Sequence, residues 1–338
     1  MAMVKGTVSS SSDDQIMNSI LGRSTMHQKR KVFIPTLCGM LVIFSAAAIA
    51  QTSNFGERFL SLPPPTGMPL VPIMEGWVVN ADGTNSFSFG FINRNKQALD
   101  IPVGPNNYIE PAKYNGMQPT HFPAGRGTGI FAVTVPEAEA DEDVWWYVKT
   151  GNSEILKVPG RAGASAYELD FILPRPQGSM QPLLGIGEDG PLRAGLSAQT
   201  AAYQDTVKVG DKVELIVTVS DPSDRDSEDP RFAEPLSVGV VYNKFQGPGD
   251  VVFSRHETTP DPVNPYEPDD FRFRFYREPG ENSVEVDGGN GTAPVYAMFS
   301  APGDYVLHVK ANNFDAPDSS NGDQCCWTNV YQNITVVP

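Results

Sequence analysis

Between Met74 and Pro338 the chain never sustains the 3.6-residue apolar period of an amphipathic helix. Short runs rich in β-branched and aromatic residues recur instead, each closed by Gly, Pro, Asn or Asp. Ser86-Phe87-Ser88-Phe89 and Val213-Glu214-Leu215-Ile216-Val217-Thr218-Val219 alternate with the period of two that places successive side chains on opposite faces of a strand. With 31 glycines and 30 prolines in 338 residues, turns are plentiful, yet 40% hydrophobic residues leave enough apolar surface to build cores. These patterns predict an all-β protein, and the length suits two domains.

A second feature bears on location. Residues 32–50 (VFIPTLCGMLVIFSAAAIA) hold no charge, follow Lys29-Arg30-Lys31, and end in Ala48-Ile49-Ala50. A basic segment, an apolar stretch and small residues before a cleavage point make a secretory signal, with Met26 as a more ordinary start than Met1. Nineteen apolar residues also suffice for a single-pass anchor whose basic flank stays inside. Both readings place residues 51–338 beyond a membrane, in the periplasm, on the cell surface or secreted. The net charge of −15 opposes nucleic acid as a partner. Residues 1–50 carry five of the 25 basic groups and only two of the 40 acidic ones, so the exported part is more acidic still. Membrane contact is thus expected only through the N-terminal segment.

After a Pro-rich lead-in over residues 51–69, strands are predicted at Met74–Asn80, Asn85–Asn93, Gly129–Val135, Val144–Thr150 and Ala166–Leu173, with a hairpin turn at Asp82-Gly83. These define a first β-sandwich domain, residues 70–173. Residues 174–198, dense in Pro and Gly and without strand pattern, read as a linker. Residues 199–338 follow as a second sandwich. Its strands are expected at Thr206–Val209, Lys212–Ser220, Leu236–Tyr242, Asp250–Phe253, Phe271–Tyr276, Val295–Phe299, Tyr305–Ala311 and Val330–Val337.

Val207-Lys208-Val209-Gly210-Asp211-Lys212-Val213-Glu214-Leu215, running into Val219-Ser220-Asp221, resembles the opening of an immunoglobulin-like or PKD-type bacterial surface module. Ala297-Met298-Phe299-Ser300-Ala301-Pro302-Gly303-Asp304-Tyr305-Val306-Leu307 is similar to the stretch of such modules where a Pro-Gly turn enters the penultimate strand, and Gly247-Pro248-Gly249-Asp250-Val251 also recurs in them. The Trp-Asp-Phe-Gly-Asp-like signature of PKD repeats is missing, so the resemblance implies a generic immunoglobulin-like sandwich. Residues 70–173 resemble a recurring domain of uncharacterised bacterial exported proteins.

Candidate sites are sparse. Asp221, Asp224, Asp226 and Glu228 crowd one loop and offer oxygen ligands of the kind calcium takes, with an acidic solvated loop as the plainer reading. Calcium is the one cofactor that the sequence suggests. Asn106 and Asn107, beside Tyr108, together with His121 and Arg126, lie in Pro-bounded segments that suit a sugar or peptide groove, or else satisfy backbone groups of long turns. Cys325-Cys326-Trp327 follows a polar hairpin and offers either a ligand platform or a packing role; a vicinal disulfide, an intermolecular bridge and free thiols all stay open. His256 and His308 are isolated in sequence, and no nucleophile elbow or phosphate loop occurs. The expectation is an exported, non-catalytic binding or structural protein that contacts a carbohydrate or protein of the envelope or its surroundings. The alternative is an extracellular hydrolase acting on polysaccharide or peptide.

Overall fold

A computed structural model describes residues 67–169, 179–223, 237–313 and 327–338. The described residues are all-β: eighteen strands, with only short 3-10 turns between them. None of their helices is long and apolar enough to cross a membrane, and residues 32–50 lie outside the described residues.

The first lobe is built from eight strands. β1 (Val71–Val79), β2 (Asn85–Asn93) and β6 (Gly125–Val135) form one antiparallel sheet in the order β1-β2-β6. β4 (Asn107–Glu110), β7 (Val144–Val148) and β8 (Leu156–Gly160) form a second, and β3 (Leu99–Asp100) pairs with β5 (His121–Phe122). The expected hairpin joins β1 to β2: Gly83 takes φ +85°, and the Asp82 carboxylate accepts from the Thr84 amide at 3.0 Å. Between the sheets lies an aromatic core. Phe89 stacks on Phe131 at 5.1 Å, and Trp146 meets Phe131 edge-on at 5.1 Å. In β2 the serines are buried as well as the phenylalanines. Ser86 reaches Thr134 and Ser88 donates to the buried carboxylate of Glu75, so both faces of this strand are covered.

The second lobe is a sandwich. One sheet runs β10 (Gln199–Ala202), β18 (Trp327–Val337), β17 (Gly303–Asn312), β13 (Val238–Gln246), β15 (Ser283–Val286), with β11 (Val207–Lys208) also on β18. The other runs β14 (Val251–Arg255), β16 (Asn290–Phe299), β12 (Val213–Ser220), β9 (Leu183–Ile186). Alternate residues of β12 (Val213, Leu215, Val217, Val219) meet Val240, Tyr242, Leu307 and Val309 of the facing sheet in one apolar core.

Strands β3, β4, β5, β8, β10 and β15 form where no strand was expected, and three further segments differ. Leu183–Ile186, inside the stretch read as a strandless linker, forms β9 and pairs with β12; a four-residue strand among glycines and prolines has too few periods to stand out. Phe271–Tyr276, read as a strand, holds a 3-10 turn at Phe273–Phe275, with Phe271, Phe273 and Phe275 all exposed. No sheet receives its apolar residues, and without a partner ladder alternation does not make a strand. Ser165–Tyr167 is a 3-10 turn where Ala166–Leu173 was read as a strand; Glu168 makes only a single parallel bridge to Trp77, and residues 170–173 lie outside the described residues.

The lobes share one seam. Phe245 and Tyr331 of the second lobe are buried in the aromatic cluster of the first. The Thr120 amide donates to the Phe245 carbonyl at 2.9 Å, and Gln246 donates to the Gly116 and Gln118 carbonyls.

Candidate functional site

Two places combine exposure with chemistry. The first is the outer face of β4-β7-β8. In β7 the residues Val144, Trp146 and Val148 point into the core, so period-two geometry turns Trp145 and Tyr147 outward. The register sets Tyr147 opposite Tyr108 and Lys157, and Trp145 opposite Glu110 and Pro159. Tyr108 and Tyr147 stack at 4.5 Å with an 8° interplanar angle, and Trp145 stands 6.5 Å from Tyr147. The Lys157 ammonium lies 4.2 Å from the Trp145 ring centre and 5.3 Å from that of Tyr147. A hydrogen bond to Glu110 holds the Tyr147 hydroxyl above its ordinary pKa. The result is an aromatic strip, its two tyrosines face to face and Trp145 tilted 41° to Tyr147, edged by one cation and one carboxylate.

The second place is a cavity of about 200 Å³ at the seam. From the first lobe come Phe91, His121, Arg126 and Thr128; from the second come Asn243, Lys244, Phe245, His308 and Lys310. Cross-strand pairing sets Asn243 beside His308 and Val241 beside Lys310, and a β-bulge at Lys244/Gln246 locally re-aims β13. Lys244 is 7% exposed, and its ammonium donates to Asp100 Oδ1 at 3.1 Å, the same oxygen that lies 2.9 Å from His121 Nδ1. Burial pushes the Asp100 carboxyl up, but the His121 and Lys244 hydrogen bonds outweigh it and hold the group below its usual range. Lys310 donates to the Thr128 carbonyl at 2.8 Å.

The residues singled out from sequence fall in different settings. His121 and Arg126 share the seam cavity. Asn107 is fully buried and structural: its amide donates to the Ile101 and Pro119 carbonyls at 2.9 and 2.7 Å, and its oxygen accepts from Trp146 Nε1 at 3.0 Å. Asn106 is exposed, and its carbonyl accepts from the Lys149 amide. Trp327 is buried against Ala132, Leu169 and Leu196, and it borders a wider cleft of about 530 Å³ with Asn80, Asp82 and Gln181. Asp221 Oδ1 accepts from the Ser223 amide and from Asn313 Nδ2. Asp224, Asp226, Glu228, Cys325 and Cys326 lie outside the described residues. Among the described residues no group of three or more His, Cys, Asp or Glu side chains is placed to hold a metal ion. Trp145 and Tyr147 were not singled out, although their shared parity in VWWYV was a readable signal. Lys244 and Lys310 reach the cavity through pairing that no local spacing encodes.

No protein-family model matches the chain, and no curated protein sequence does. Among solved structures it is similar to domains 4 and 5 of the S-layer protein SbsC, at 14% identity over 59% of this chain and 66% of that one, with a TM-score of 0.19. The D00-D0 domain of intimin matches at 12% identity over 80% of this chain and all of its own, with a TM-score of 0.23. The collagen adhesin CNA from S. aureus matches at 9% identity over 80% and 93%, with a TM-score of 0.20. Superpositions this loose transfer no ligand and no activity.

Proposed function

We propose that the chain is an exported, non-catalytic binding protein that holds a carbohydrate on the aromatic face of β4-β7-β8. The observation that carries this reading is the outward strip of Tyr108, Tyr147 and Trp145, edged by Glu110 and Lys157. A sugar ring has an apolar C–H face and a rim of hydroxyls. Half-exposed rings bordered by a donor and an acceptor offer contact to both, the indole to the C–H face and the polar edge to the hydroxyls. The Lys157 ammonium already rests over the indole; a sugar stacking there takes its place and receives it as a hydrogen-bond donor. Export rests on the apolar stretch of residues 32–50 and its basic flank.

The test is binding of the purified full-length protein to a panel of soluble and insoluble polysaccharides, followed by tryptophan fluorescence and pull-down. Binding to one glycan class, reduced at least tenfold by Trp145→Ala and by Tyr147→Ala, is the expected result. No binding across the panel, or binding indifferent to both substitutions, overturns the reading.

One arrangement favours a hydrolase as a second reading. Thr258 Oγ1 lies 2.8 Å from His256 Nδ1, and His256 Nε2 lies 2.9 Å from Glu214 Oε1, which is the connectivity of nucleophile, base and orienting carboxylate. The Thr258 amide also donates to that same Nδ1 at 3.2 Å, as in a local turn, and neither cavity described above includes these residues. Hydrolysis of an ester, peptide or glycan substrate that disappears in Thr258→Val would establish this reading in place of binding alone.

A further inference from the structure

β14 is the outer strand of its sheet and pairs with β16 on one side only. The Ser300 amide donates to the Asp250 carbonyl at 3.0 Å, and the ladder continues through the pairs Val252–Met298 and Ser254–Tyr296. Antiparallel pairing alternates, so the amides and carbonyls of Val251, Phe253 and Arg255 point the other way, to the open edge. The Arg255 amide bears this out by donating to Glu281 Oε2 at 2.9 Å. Among the described residues, no hydrogen bond reaches the amides or carbonyls of Val251 and Phe253. Several other outer strands are guarded. β8 carries Lys157 and Pro159, β1 a bulge and Glu75, and β15 Glu285, while Arg193 closes β9 by exchanging backbone bonds with Leu184. Val251–Ser254 has no charge, no proline and no register shift. On its outer face Val252 is 62% exposed, beside its cross-strand neighbour Met298 at 43%.

We propose that this edge is a homodimer interface, to which a second copy of the chain adds its own β14 antiparallel about a two-fold axis at Val252. That axis sets Val251 opposite Phe253 of the second copy, and Phe253 opposite its Val251. Each of these pairs exchanges both backbone bonds, so every open amide and carbonyl of the two edges finds a partner. Glu281, by occupying the Arg255 amide, ends the free stretch and fixes this register. The two Val252 side chains meet in the close, non-hydrogen-bonded position, flanked by the two Met298 side chains, and Asp250 lies across from Ser254 of the second copy. The self-match is what selects a second copy as the occupant: one identical edge satisfies each open group and covers both exposed apolar side chains. The sheets β14-β16-β12-β9 of the two copies then run on as one. The shared edge is short, which puts the dimer in the weak class that buries less than about 1,200 Å². Each copy carries a net charge of −15, so the two repel and salt tightens the pairing. This interface does not depend on the glycan reading, although two aromatic faces on one particle would grip a polymer by avidity.

The experiment is sedimentation velocity of the full-length protein over a roughly hundredfold range of concentration, at low and at moderate salt. A monomer–dimer equilibrium is expected, shifting toward dimer with concentration and with salt. Val252→Lys sets two ammonium groups face to face and should weaken the dimer at least tenfold, while its exposed position leaves the melting temperature of the monomer unchanged. Val251→Pro deletes an outward amide and no bond to β16, and should weaken the dimer to a similar degree. Lys157→Gln, on the aromatic face, should leave the equilibrium as it is. If Val251→Pro does not fold, Val252→Cys takes its place. Mild oxidation should then join position 252 of one copy to position 252 of the other, a cross-linked peptide that Cys38, Cys325 and Cys326 cannot give. A wild-type protein that stays monomeric throughout, a dimer that survives Val252→Lys, or oxidation without the 252–252 link overturns the proposal.

Discussion

The Gly129 amide donates to the Glu75 carboxylate at 2.6 Å, and through that contact a bulge in β1 is tied to the seam between the lobes. Gly129 in turn presents its carbonyl to Asn329 Nδ2 at 2.9 Å, and Asn329 Oδ1 lies 2.9 Å from His308 Nε2. Two buried titratable groups thus stand at the ends of one hydrogen-bonded chain. Burial raises the Glu75 carboxyl to about 7, against the partial relief given by Gly129, Lys310, Ser88 and Arg126. The folded protein therefore holds this proton more tightly than the unfolded chain does. Stability from this group is greatest below pH 4.5 and is lost as pH rises toward 7, by an amount on the order of 3 kcal/mol. Glu75→Gln, neutral at every pH, should melt higher than wild type at pH 8 and at nearly the same temperature at pH 4.5. An unchanged difference across that range would remove Glu75 as the source.

His308 acts in the opposite direction. Burial lowers its pKa to about 4 even though Asn329 supports the charged form, so the folded state resists a proton that the unfolded chain accepts. Stability is full above pH 6.5 and declines as pH falls toward 4. Between pH 6.5 and 4.5 the two groups offset each other, and the wild-type melting temperature should vary little. Glu75→Gln should uncover the acid-side loss due to His308, while His308→Gln should uncover the acid-side gain due to Glu75. Melting curves of the three proteins at half-unit pH steps separate these slopes.

Strand identity was readable where alternation met a partner. Asn85–Asn93 coincides with β2 from end to end, and the Val213–Val219 alternation is the core face of β12. The alternation of Phe271–Tyr276 is as regular, yet no ladder receives it, since local pattern does not report pairing. The same limit governs the site. His121 and Arg126 stand close in sequence and do share a cavity, but Lys244 and Lys310 enter it from strands more than a hundred residues away. Asn107 stood out as a polar residue beside an aromatic, and the structure spends all of its amide on the Ile101 carbonyl, the Pro119 carbonyl and the Trp146 indole. Composition cannot distinguish an amide that awaits a ligand from one that satisfies the core.

Gly129 offers a direct test of the seam. Its φ of +61° lies in the left-handed region, and a Cβ added there would sit 2.6 Å from Trp327 Nε1. Both the backbone conformation and the indole oppose a side chain. Gly129→Ala should cost about 2 to 4 kcal/mol, combining left-handed strain with displacement of a buried ring. Urea denaturation measures it. A cost below about 0.5 kcal/mol would mean that the indole moves aside freely and that Trp327 does not fix the seam.

Asn107→Ala should separate stability from binding. Removing the amide strands the Trp146 indole N–H and two carbonyls in a buried site, and each orphaned group costs roughly 1 to 3 kcal/mol. Asn107 begins β4, the strand that carries Tyr108 onto the aromatic face. The variant should therefore unfold at markedly lower urea, while the part still folded binds glycan with the wild-type affinity. Asn107→Asp keeps the acceptor for Trp146 but turns a second oxygen toward the two carbonyls, so it should be no more stable than the alanine variant at neutral pH and should recover as the carboxyl is protonated. Loss of glycan affinity in a folded Asn107→Ala protein would place this residue in the binding surface instead of the core.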